Sequence, residues 1–192
     1  MEPTLAGAAA PSDSRSSQLT LLAGLVLLVG SIVFLWQSSG AYEIYKSLHV
    51  AFAVIWVGGA MALTVIGLLA ERANDPREIA TIVKYAEKLG QRVFTPSSVI
   101  VLAFGIAMIE KGGLGWGVFW IDFALAAWAL SFAVGAGYLG PTAGKIHRAY
   151  QASGGQLTPE ITALQQQILR VVRFDAAMLL LIVVDMAAKP SF

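Results

Sequence analysis

The sequence contains no cysteine and little charge. The first absence removes disulfides, thiolate zinc sites, iron–sulfur clusters and cysteine nucleophiles from consideration. The second is more telling. Charged residues are 13% of the 192-residue chain, against roughly one quarter in a soluble domain, so there is too little charge to coat a water-facing surface. A soluble enzyme is excluded on that ground. A net charge of +1 and the lack of any run of Lys and Arg exclude a nucleic-acid partner. Only two histidines remain as strong nitrogen ligands. Phosphate loops, dinucleotide fingerprints, His-Glu-x-x-His and serine-nucleophile elbows are all missing.

What is present is apolar sequence: 57% of residues are hydrophobic, and the mean hydropathy is +0.70. A transmembrane helix needs about 20 mostly apolar residues. Five runs qualify: Leu19–Trp36, Ile44–Ala70, Val93–Ile109, Val118–Gly140 and Val171–Ala188. The expected fold is therefore all-α, a polytopic helical bundle in contact with the lipid bilayer. Residues 1–18 read as a disordered tail. Residues 19–41 read as an extra N-terminal transmembrane helix or an uncleaved signal-like segment, with Ser39 and Ala41 at cleavage-like positions. Residues 42–192 make a four-helix membrane core.

Ten of the thirteen Lys and Arg fall in the tail and in segments 71–92 and 145–173, while Lys46, Lys111 and Lys189 fall on the other side. The positive-inside rule then places the N-terminus in the cytoplasm and the C-terminus outside. Both basic segments look helical. Asn74-Asp75-Pro76 and Thr158-Pro159-Glu160 each set a cap with proline in the first turn, followed by apolar residues at helical spacing. Pro96 is expected to kink its helix or to mark a fresh start at Thr95. Gly112-Gly113-Leu114-Gly115 reads as a tight turn, and Gln151–Gln156 as a flexible connection.

Ionisable groups within a membrane span are costly and tend to be functional. His49, Asp122 and Asp185 fall at similar depths, on the order of 10 Å from the midplane at a rise of about 1.5 Å per residue, so they could meet. His49 is either a histidine hydrogen-bonded to a neighbouring helix or an axial ligand to haem b or another metal. Asp122 and Asp185 either orient its ring and relay protons, or reach interfacial water. Trp56, Gly58 and Gly59 let a neighbouring helix, or the flat face of a macrocycle, approach the backbone. Lys84, Lys88 and Arg92 form a basic stripe, suited to anionic lipid headgroups or to the carboxylates of a porphyrin. Asp175 is expected to pair with Arg92 or a nearby arginine. Met61, Met108, Met178 and Met186 are core filling or soft copper(I) donors.

Tyr45-Lys46-Ser47-Leu48-His49-Val50 followed by Trp56-Val57-Gly58-Gly59 resembles the first core helix of a group of small bacterial membrane proteins. The group comprises the HemJ-type protoporphyrinogen oxidases, the CopD copper-resistance membrane domain and a family known only as predicted integral membrane proteins. Glu87–Phe94, Gly115-Trp116, Trp120 and Lys189-Pro190 extend the resemblance from about Tyr42 to the end. It implies a bacterial inner-membrane location, with haem binding at His49. The His-x-Lys pair of the HemJ group has no counterpart, because Trp120-Ile121-Asp122-Phe123-Ala124 stands in its place. Three functions follow as expectations: a haem-binding or HemJ-like redox protein, a copper or small-solute handling protein, and an accessory subunit that packs against itself or a larger membrane complex.

Overall fold

The computed structural model describes residues 40–73 and 76–190, together with 22–24, 26–27, 29–34 and 37. The expected tail, the cleavage-like position at Ser39 and the Asn74-Asp75 cap lie outside the described residues. Among those described there is no strand. The chain divides into two units, Met1–Gly40 and Ala41–Phe192. The first holds α1 (Leu22–Phe34), whose described side chains are exposed and, apart from Ser31, apolar.

The second unit is built from four long helices: α2 (Ala41–Ala73), α3 (Arg77–Gly112, with Pro76 at its start), α4 (Phe119–Ala152) and α5 (Pro159–Ala188). Short connections force consecutive helices to run antiparallel. Each helix packs on its neighbours, and α5 returns against α2 to close the ring. By length and composition, α2, α3 and α4 can each cross a membrane. With 33, 36 and 34 residues they span roughly 50 Å at about 1.5 Å per residue, well beyond a hydrocarbon core of about 30 Å. In α5 the uncharged run Ala176–Val184 lies between Asp175 and Asp185.

The surface agrees with a lipid environment. Val54, Leu69, Val99, Leu130, Leu181 and Val184 are large, apolar and exposed, whereas a water-soluble monomer rarely leaves a surface of this kind uncovered. At the end of the bundle that carries Thr158, the pattern becomes amphipathic. There Val83, Ala143, Ile146, Ile161 and Ile168 form a buried cluster of the kind water drives together. A second cluster, Trp56, Val101, Ala127, Leu179 and Ile182, sits within the apolar part.

Three of the four helices contain a π-helical turn: Val54–Gly58 in α2, Gly90–Phe94 in α3 and Gly135–Leu139 in α4. Two of them immediately precede an α-helical segment with proline in its first turn, Pro96 and Pro141. Proline lacks an N–H, and its ring crowds the carbonyl four residues back. The wider π turn absorbs that conflict, so each helix continues where a break is otherwise expected. Pro96 therefore neither restarts the helix nor ends it, and α4 runs past Gly140 to Ala152.

Helix ends follow local chemistry. Gly113, at φ +60°, adopts the left-handed conformation that caps α3, donating its N–H to Ile109 O. Thr158 caps α5, its Oγ1 accepting from the Ile161 N–H at 3.3 Å. Thr158→Ala is expected to lower the stability of the detergent-solubilised protein by about 1 kcal/mol. Thermal unfolding followed by circular dichroism measures it; an unchanged midpoint would show that the cap contributes nothing.

Candidate functional site

His49 sits on α2 where this helix crosses α3. Its Nδ1 lies 2.8 Å from the carbonyl oxygen of Val101, so Nδ1 carries the proton and donates it. The approach depends on Gly105, one turn further along α3. A Cβ there would stand 3.2 Å from His49 Cε1 and 3.4 Å from Nδ1, tighter than ordinary packing, so glycine provides the seat for the ring. With Nδ1 committed, the neutral ring keeps its lone pair on Nε2, the atom that can bind a metal or accept a proton.

His49 lines a half-open cavity of about 520 Å³, bounded by residues of all four helices at the end of the bundle that carries Gly113. The walls are apolar and aromatic, with Tyr42, Trp56, Trp120 and Trp128 among them. Trp128 is held by its own bond, Nε1 donating to Ser98 O at 3.1 Å. Two cations line the same cavity, Lys46 and Lys189, and the Lys189 Nζ lies 5.5 Å from the centroid of the Trp120 ring. Met108 and Met186 line it as well.

The structure gathers only part of the expected site. His49, Trp56 and Gly58 share the cavity. Gly59 serves helix packing instead: a Cβ there would fall 2.5 Å from Phe94 Cε1. Lys88 and Arg92 are exposed and line neither this cavity nor the next one. They stand about 14 Å or more from the level of Val101 along the α3 axis, at ~1.5 Å per residue. Asp122 is exposed and does not line the cavity, so the meeting of three ionisable groups does not occur. Asp185 is buried, 8% exposed, and does not line the cavity, and its Oδ2 has no hydrogen-bond partner among the described residues. Lys46, three residues before His49 on the same helical face, was the legible part of the cationic rim. Lys189 enters only through the fold.

Among the described residues there is no group of three or more His, Cys, Asp or Glu that could hold a metal ion by itself. The lining of the His49 cavity thus combines one imidazole, aromatic walls and two lysines, Lys46 and Lys189.

A second cavity of about 430 Å³ lies toward the Thr158 end, and among the described residues Trp56 is the one that lines both. Its walls carry Asp175, whose Oδ1 accepts from Ser131 Oγ at 2.6 Å. This replaces the expected arginine partner. Arg173 pairs instead with Glu71 of α2 at the half-exposed surface.

A family model describing a predicted integral membrane protein (DUF2269) matches residues 43–190, from the start of α2 to the end of α5. The chain belongs to the DUF2269 family. In this DUF2269 protein the match covers the four-helix unit that encloses both cavities and leaves out α1. The finding does not extend to the HemJ-type oxidases or the CopD domain. No curated protein and no solved structure matches the chain.

Replacing Asp185 with asparagine removes a buried charge that lacks a partner on Oδ2. Asp185→Asn is expected to raise the stability of the solubilised DUF2269 protein, by about 1 kcal/mol. A lower unfolding temperature in the variant would show that the carboxylate is compensated after all.

Proposed function

We propose that this DUF2269 protein is a multi-pass protein of a bacterial cytoplasmic membrane that holds haem b on His49, near the outer surface, in a redox role. The observation that supports it most is the bond from His49 Nδ1 to the Val101 carbonyl. A ligating histidine commonly donates its other N–H to such an acceptor, which fixes the tautomer and makes the free nitrogen a better donor. Gly105 leaves room for the ring in that orientation. Lys46 and Lys189 are the groups that would receive carboxylates at the rim, and Trp120, Trp128 and Trp56 would exclude water. Haem, when bound, supplies one-electron chemistry whose potential is set by its axial ligand and by the burial of the site.

A second reading, copper(I) handling, is favoured by one observation: Met108 and Met186 line the same cavity as His49, giving two soft thioethers and an imidazole.

One preparation separates the two. Protein expressed with ample haem and purified in detergent is expected to show a Soret band and a reduced-minus-oxidised α-band. His49→Ala should remove both while leaving helical content intact, and Gly105→Ala should weaken haem retention by crowding the ring. No Soret band in the wild type would overturn the haem reading, and Cu(I) retention lost in Met108→Leu and Met186→Leu would then establish the second.

The proposed orientation has the N-terminus in the cytoplasm, α1 as a further span and the C-terminus outside. It rests on the bias of ten of the thirteen basic residues. A reporter that is active only outside the cytoplasm, fused after Phe192, is expected to be active; activity only when it is fused at the 153–158 turn would reverse the orientation.

A further inference from the structure

We infer that the cavity at Asp175 is a binding site for a primary alkylammonium, a small organic monocation, with Asp175 as its counter-ion. The inference stands apart from the haem reading, since the two cavities have only Trp56 in common.

Charge comes first. Asp175 is the one ionisable side chain in the lining, and no Lys, Arg or His joins it there among the described residues. The nearest arginine in sequence, Arg173, is engaged by Glu71. A carboxylate among apolar walls inside a helical membrane bundle is stabilised by a cation, and the protein brings none of its own.

The hydroxyls narrow the chemistry. Thr64 Oγ1 donates to Ala60 O at 2.8 Å, Ser98 Oγ donates to Thr95 O at 2.8 Å, and Ser131 Oγ donates to Asp175 at 2.6 Å. All three line the cavity, and all three have spent their only proton inside the protein. What they retain is lone pairs. These three hydroxyls and the carboxylate can only accept, and although Gln91, Thr95 and Trp56 in the same lining can also donate, the acceptors grouped with the charge suit a ligand that donates several hydrogen bonds from one centre. A primary ammonium has three N–H donors.

Size and walls settle the rest of the ligand. A volume of about 430 Å³ is in the range of small-molecule sites and far larger than a bare alkali ion needs. Trp56, Phe94 and Phe132 supply aromatic surface that suits both an alkyl chain and a cation. Two of the π turns, through Gly90 and Gly135, form part of the wall, and neither glycine has an atom within 4 Å of where its Cβ would be. Both positions therefore have room for a side chain.

Calorimetry on the purified full-length protein in detergent tests this, with n-hexylammonium chloride as the probe. Titrations with n-hexanol and sodium chloride serve as controls. The expected result is saturable one-to-one binding of hexylammonium. Asp175→Asn, which retains an oxygen to accept from Ser131, should weaken it by about tenfold or more, the loss of a charged hydrogen bond. Gly135→Leu, which fills the chamber and leaves Asp175 in place, should weaken it too, while His49→Ala should not. Equal affinity in Asp175→Asn or in Gly135→Leu would overturn the assignment. So would hexanol binding as tightly as the ammonium, which would mean an apolar cavity only. A response to sodium ions that depends on Asp175, without one to the ammonium, would also overturn it in favour of an inorganic cation. Were Asp175→Asn to lose its helical content, the Gly135→Leu result alone would decide.

Discussion

Inside hydrocarbon a backbone amide has no water to turn to, so every N–H and C=O along a membrane segment must be satisfied by the chain itself. That constraint shapes the four-helix unit. The helices continue through Pro96 and Pro141, and the mismatch is taken up by a π turn just before each proline. The turns are not spread at random. Those of α3 and α4 both face the Asp175 cavity, and that of α2 carries Trp56 between the two cavities. Backbone irregularity is thus confined to where it lines a chamber, which is where a membrane protein can accommodate it.

The same helices must also hold together in two solvents. At the Thr158 end, burial of Val83, Ile146, Ile161 and Ile168 releases apolar surface from water, and the hydrophobic effect works as in any soluble bundle. In the apolar part that force is weak, because lipid tails are as apolar as leucine. Cohesion there depends on close packing, as where Gly59 admits the Phe94 ring, and on bonds between helices: His49 to Val101, Trp128 to Ser98 and Ser131 to Asp175. All three polar links lie beside a cavity, so the contacts that hold this half of the bundle are also the ones that shape its interior.

Much of this was legible in the sequence. Proline and a capping residue announced the start of α5, and Gly113 announced the end of α3, because caps are local chemistry. The four core helices followed from runs of apolar residues. The rise per residue gave a spacing along each helix, but not the direction in which a side chain faces. His49, Asp122 and Asp185 were expected to meet, yet Asp122 is exposed and neither it nor the buried Asp185 lines the cavity of His49. The partner of Asp175 was misread for a related reason. Arginines are conspicuous in a sequence and a serine 44 residues away is not, but helix packing brings Ser131 to the carboxylate. Two of the π turns gave no signal beyond the prolines that follow them, because proline in a helix predicts a disturbance without specifying its form, and the turn at Val54–Gly58 has no proline at all.

Trp56 is 7% exposed and is the single side chain that borders both chambers. Two compartments with a common partition cannot be perturbed independently through it. Any free energy that an occupant of one chamber draws from the position of the indole is returned, with the same magnitude, in the affinity of the other.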